Sequence, residues 1–134
     1  MADLEALPDD VGGESIDGVL YTAPRRQVVH RSIESTLLGD LNGPFQRGRG
    51  GPGGWWVLVE PGIELPNSPE VVPDLAAWRK DRLPTLPTDR SIQVVPDWIC
   101  EILSPSTRRH DQLIKRPFYA RIGLPRPTVP TPTA

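Results

Sequence analysis

The chain is expected to fold as one α/β (α+β) domain in which short strands gather around two helices. Three observations predict this. Asp17-Gly18 lies between the runs Glu14 to Ile16 and Val19 to Thr22, and Asp-Gly between such runs favours a tight hairpin turn. Apolar residues recur at Val29, Ile33, Leu37 and Leu41, with Leu38 beside them, the spacing of one face of an amphipathic helix over about Arg25 to Leu41. Two further apolar runs, around Asp74 and around Glu101, have strand length, and each encloses a carboxylate.

The remaining elements follow in chain order. Ala2 to Leu7 has room for a helical turn before Pro8. Asn42 to Gly54 is a Gly/Pro/Arg loop that carries Arg47 and Arg49. Trp55 to Glu60 and Ile63 to Leu65 read as a second strand pair around Pro61-Gly62. Val71 to Trp78 reads as one strand, and Pro73 within it, with no N–H to give, points to a sheet edge or a bulge. Arg79 to Asp89 is a polar excursion, and Asp97 to Leu103, the most apolar run, is the expected central strand. Ser104 or Ser106 can cap a second helix over about Thr107 to Ile122, interrupted by Pro117 and stopped by Gly123. From Leu124 onward proline alternates with polar residues, so the expected organisation is a domain over 1–123 and a disordered, polyproline-like tail over 124–134.

Composition sets limits on function. The 134 residues suffice for a single modest core. With 17 prolines and 12 glycines, over a fifth of the chain, long irregular connections are expected around it. A net charge of −2 excludes a globally basic nucleic-acid binder but leaves room for a local basic groove. The single cysteine, Cys100, cannot close an internal disulfide, and no apolar run approaches the roughly 18 residues of a membrane span. A soluble, cytoplasmic protein is the expectation.

The chemistry-bearing candidates are the acids in apolar runs. A carboxylate in a core holds a metal, a partner charge or a proton, because burying it unpaired is costly. Strand alternation puts Asp97, Ile99 and Glu101 on one face and Trp98, Cys100 and Ile102 on the other. Asp74 on a neighbouring strand can converge with Glu101 if their register allows, and two such carboxylates suit Mg²⁺. On pattern alone, a paired structural acid is the alternative at both positions. Lys115 stands four residues after Asp111, and spacing alone makes that a surface ion pair on a helix. His30 reads as a core or interface histidine, Cys100 as core, Trp55 and Trp56 as packing, and Glu60 as a further candidate ligand. Arg47 and Arg49 fit either phosphate contact or a solvated connection.

From Glu14 to Gly123 the chain resembles the Uma family of restriction-endonuclease-like proteins in the PD-(D/E)XK nuclease superfamily. The residues that carry the resemblance are Ile16-Asp17-Gly18-Val19-Leu20-Tyr21, His30, Val72-Pro73-Asp74-Leu75, and the run from Pro96 to Thr107 with its Glu101-Ile102-Leu103-Ser104-Pro105-Ser106 core. Asp111-Gln112-Leu113-Ile114-Lys115 and Tyr119-Ala120-Arg121 match as well. The resemblance implies a restriction-endonuclease-like mixed β-sheet flanked by helices, with Asp74 and Glu101 as metal ligands. The superfamily lysine stands two residues after the acid, where this chain has Leu103; a lysine on the following helix, here Lys115, takes that role in the family. Relatives continue into further strands after the last helix, where this chain has its proline-rich tail, so the expected sheet is C-terminally truncated.

Three functions follow as expectations. The first is an endonuclease that hydrolyses DNA with Mg²⁺, or Mn²⁺ as substitute, through Asp74, Glu101 and Lys115. The second is a catalytically inactive nuclease-like domain that binds a partner or DNA. The third is a DNA-binding module using Arg25, Arg26, Arg47, Arg49, Arg108 and Arg109. DNA is the expected partner and a membrane is not; a homodimer is allowed by these residues without being specified.

Overall fold

The computed structural model describes residues 11–24, 28–103 and 110–123. The expected N-terminal turn, the helix cap at Ser104 or Ser106 and the 124–134 tail lie outside them. Strands β1 (Val11–Ile16) and β2 (Val19–Pro24) form the hairpin read from Asp17-Gly18. Both turn residues take positive φ, 52° and 80°, the backbone that the right-handed strand twist selects in a two-residue turn. Ser68 Oγ accepts from the Asp17 N–H at 2.9 Å, and Arg121 pairs with the Asp17 carboxylate.

Helix α1 (Val28–Leu41) forms where the periodicity predicts, but its inward face is not the expected stripe. Val29 is 62% exposed, whereas Glu34 is buried and Ile33, Leu37 and Leu38 pack on the core. The buried face therefore begins with His30 and Glu34 and becomes apolar toward the C-terminus. A wide five-residue turn, Asn42–Gln46, follows α1. The loop after it folds back on itself through Arg49 N–H to Gly43 O and Gly53 N–H to Pro44 O, both 2.9 Å. Gly51 passes so close to Pro44 that a Cβ there would meet its ring at 2.5 Å.

The strands β3 (Trp55–Val59) and β4 (Ile63–Leu65) do not pair with each other, contrary to expectation. Glu60, at φ 45°, turns the chain out of one sheet and into another. Likewise the expected single strand over Val71 to Trp78 is two: β5 (Ser68–Val71) and β6 (Leu75–Arg79). The result is a four-stranded sheet in the order β2-β1-β5-β4 and a three-stranded sheet in the order β3-β6-β7, where β7 is Trp98–Cys100. All the paired strands run antiparallel, and a parallel bridge joins Ile63 to Ile92. Among the described residues β6, rather than the Asp97–Leu103 run, is central, which explains why Leu75, Ala76, Ala77 and Trp78 are all buried.

A helix lies on each face of the three-stranded sheet, as the α+β reading requires. Leu75 and Cys100, register partners, face α1 with Ile102. Ala76, Trp78 and Ile99 face the other way, toward Phe118 and Tyr119 of helix α2 (Arg116–Arg121). The expected long second helix is thus a wide turn, Asp111–Lys115, followed by the short α2. Pro117 sits in the first turn of α2, where its missing N–H costs no helical bond.

Candidate active site

The site is built where the chain crosses between sheets. Pro73 has no N–H, so Val72-Pro73-Asp74 cannot continue a ladder, and side chains take over the backbone's partners. Glu14 Oε1 accepts from the Val72 N–H at 2.8 Å, and Lys115 Nζ donates to the Val72 carbonyl at 3.1 Å. Asp74 is 1% exposed. Its Oδ2 accepts from the Ile102 N–H at 2.6 Å, and its Oδ1 lies 2.9 Å from His30 Nε2.

His30 Nε2 also lies 3.5 Å from Glu34 Oε2, one helical turn along α1. Glu34 is 3% exposed, and that oxygen has no hydrogen-bond partner among the described residues. His30, Glu34 and Asp74 each offer one ligand atom, all within 4.8 Å of one another. Burial alone would disfavour the imidazolium, but the hydrogen bond to Asp74 and the pairing with the Asp74 and Glu34 charges outweigh it and raise the His30 pKa to about 9.

Glu101 follows β7 into the same region and is 2% exposed. Lys115, 1% exposed, sits between two acids: Nζ is 2.8 Å from Glu14 Oε1 and 3.1 Å from Glu101 Oε1. Lys115, which its spacing alone would leave on the surface, is instead buried, its ammonium held between Glu14 of β1 and Glu101 after β7. Tyr119 donates to Glu101 Oε1 at 3.0 Å. Burial and the Glu101 charge push that phenol well above its ordinary pKa, keeping it a donor. For Glu14, burial works against ionisation, yet the Lys115 charge and the bonds from His110, Lys115 and Val72 hold it down to about 2.

Asp74, Glu101 and Lys115 are thus brought together through the backbone: Lys115 bridges Glu101 to the Val72 carbonyl, and the N–H next to Glu101 binds Asp74. The other candidates fall elsewhere. Arg47 and Arg49 are exposed on the glycine-rich loop. Glu60 meets Asp74 by backbone, its N–H donating to the Asp74 carbonyl at 2.8 Å. Cys100 is buried, and burial with the nearby Asp74 and Glu101 charges pushes its thiol up to about 12. Trp56 donates to the Leu83 carbonyl and packs against the core, and Lys80 lies 4.4 Å over its ring.

The model of the Uma family, described as "Putative restriction endonuclease", matches residues 1–130. The chain belongs to this family. A crystal structure of "a putative nuclease belonging to DUF820" from Anabaena variabilis has a similar fold, with a TM-score of 0.72 and 19% identity over 96% of this chain and 71% of that one. No curated protein matches the chain. No described helix is long and apolar enough to cross a membrane.

In this Uma-family chain, sequence reasoning missed Glu14, Glu34 and Tyr119 as site residues. The signals were present. Glu34 follows His30 by four, Tyr119 follows Lys115 by four, and Glu14 precedes the buried Ile16 by two on the same face of β1. Each spacing shares a face only once the element is known to be a helix or a strand.

Proposed function

We propose that this Uma-family chain is a divalent-metal-dependent endonuclease that hydrolyses DNA phosphodiester bonds, with Asp74 and Glu101 holding the ion and Lys115 supplying positive charge. The observation that carries the reading is the convergence of these three buried groups at one sheet crossing, tied together through Val72 O and Ile102 N. Family membership supports the nuclease class.

The donor set fits a hard divalent ion. Asp74 and Glu101 are buried acids, and Glu34, also buried, offers a carboxylate oxygen within 4.8 Å of the Asp74 ligand atom. Mg²⁺ is the proposed cofactor, with Mn²⁺ as substitute. When bound, such an ion lowers the pKa of water and offsets charge building on the phosphate. Hydrolysis adds the oxygen of a water to phosphorus, breaks the phosphorus–oxygen bond to the leaving sugar, and returns a proton to that oxygen. Lys115, held by Glu14 and Glu101, would supply fixed positive charge to this step. Tyr119 holds Glu101 in position. Arg47 and Arg49 are the proposed phosphate contacts, and the site of action is proposed to be the cytoplasm. A homodimer is carried as a proposal for sedimentation velocity to test.

A second reading rests on one observation: Lys115 Nζ is enclosed by Glu14, Glu101 and Val72 O rather than facing solvent. A nuclease-like domain of this kind that binds DNA or a partner without hydrolysis would keep the same network. Cleavage of plasmid DNA with Mg²⁺ or Mn²⁺ separates the two. The first reading expects hydrolysis that falls at least about 100-fold in Asp74→Asn, Glu101→Gln and Lys115→Met. Glu101→Gln cutting as fast as the natural chain would overturn the site, and a folded chain that cuts nothing would favour the second reading.

A further inference from the structure

We infer that the end of the three-stranded sheet remote from the buried acids is a phosphate-binding rim for duplex DNA, where Trp55 and Trp56 hold the cations Arg79 and Lys80 in place beside Arg47 and Arg49. The inference deepens the nuclease reading above and rests on it for the partner.

Trp55 and Arg79 are register partners across β3 and β6. The Arg79 guanidinium carbon lies 5.1 Å from the centroid of the Trp55 ring, and Lys80 Nζ lies 4.4 Å from that of Trp56. Side chains alternate along a strand, so the two cations stand on opposite faces of one sheet end. The Trp56 ring is itself fixed, because its N–H donates to the Leu83 carbonyl at 2.8 Å. The glycine-rich loop closes on the same end. The Lys80 N–H donates to the Gly54 carbonyl at 2.9 Å, and Gly53 runs so close to Gly48 that a Cβ on it would meet the Gly48 Cα at 3.3 Å. Gly48 separates Arg47 from Arg49, so both exposed guanidinium groups start from this contact.

Among the described residues none of these four cations forms an ion pair, whereas Arg82 is paired with Asp97, Arg121 with Asp17 and Lys115 with Glu14 and Glu101. The exposed Asp81 stands next to Lys80, and Asp97 is bound by Arg82 and by the Arg79 N–H, so the end stays positive. In a chain of net charge −2 such a grouping is a local field that draws a polyanion. A cation resting on an aromatic ring is held without a counter-ion and loses little freedom when a phosphate reaches it. Base stacking, the usual grip on single strands, needs an open ring face, and each of these rings carries a cation on one. Phosphate is therefore the ligand, and the rim meets it on both faces. The five residues of β6 separate this rim from Asp74 by roughly 16 Å, the length of about five base pairs of duplex.

The test uses the full chain and a fluorescein-labelled duplex of about 30 base pairs in EDTA, which stops hydrolysis, with anisotropy read across a salt series. Arg79→Gln with Lys80→Gln should lower the salt slope by roughly 2 and weaken binding at least about tenfold at moderate salt. Arg79→Lys should keep the slope. Trp55→Leu should also keep it while weakening binding about threefold, since the ring positions a charge without supplying one. An unchanged slope in the double variant overturns the inference, as does no binding of duplex, or tighter binding of the same sequence as a single strand. Cleavage of the end-labelled duplex with Mn²⁺ separates the two claims. Binding through the rim without cleavage sinks the nuclease reading alone. Where the chain cuts, cuts on each strand should stop roughly five base pairs short of one end, a limit that the double variant relaxes; cuts running to both ends in the natural chain sink the rim alone.

Discussion

Replacing Lys115 by Met removes the positive charge at the centre of a buried network while keeping the stem's volume. Nζ lies 2.8 Å from Glu14 and 3.1 Å from Glu101, and the lysine is almost fully buried. Removing one partner of such a pair leaves buried charge uncompensated, at a cost of about 3–5 kcal/mol. The Glu14 carboxyl gives an independent scale. Its pKa is lowered from 4.5 to about 2 in the folded chain. At 1.36 kcal/mol per pKa unit that corresponds to roughly 3 kcal/mol of stability at neutral pH. At about 2.1 cal/mol/K per residue, a chain of this size would lose roughly 10 °C of melting temperature.

The pH dependence has a definite sign. A carboxyl with a lowered folded pKa contributes stability above its unfolded value near 4.5 and loses it as pH falls toward 2. In Lys115→Met, Glu14 keeps the burial penalty and the bonds from His110 and Val72 but loses the lysine's charge and hydrogen bond, so its pKa rises. The gap between natural chain and variant should therefore be wide at pH 7 and narrow steadily below pH 4.5. Urea titrations at both ends of that window measure it. The cycle with Glu14→Gln should show a coupling energy on the order of 1–3 kcal/mol. Additive single effects, or a gap independent of pH, would refute the buried-pair account.

Three further outcomes are expected. Arg47→Ala with Arg49→Ala should weaken DNA binding about uniformly across sequences and lower the salt slope by roughly 2, read by fluorescence anisotropy between low and moderate salt. The Cys100 thiol, buried and pushed up to about 12, should resist a thiol reagent in the native chain and react fully in denaturant. Gly18→Val should cost about 1–2 kcal/mol in urea unfolding, because Gly18 sits at φ 80° although nothing crowds its Cβ position.

Features whose causes lie within a few residues are legible along the chain. Asp17-Gly18 specifies its turn because only left-handed backbone at both positions matches the strand twist. The recurrence through Ile33, Leu37 and Leu41 specifies a helix because the α-helical repeat is local. Asp74 and Glu101 were legible as buried because each is enclosed by apolar neighbours in its own strand-length run. The tertiary structure alone decided which faces meet. Local pattern counted Val29 as part of the apolar stripe, read His30 as a core or interface histidine and left Glu34 unplaced; packing against β6 and β7 turned His30 and Glu34 inward and left Val29 in solvent. Two strands expected to pair went to different sheets, since Glu60 and Pro73 break the chain at the crossing rather than within a ladder. Lys115 reads as a surface residue by its spacing from Asp111 and is interior because Glu14, from a strand about a hundred residues earlier, meets it there. Long-range charge pairing has no local signature, because its energy depends on a partner and a burial that exist only once the chain has folded.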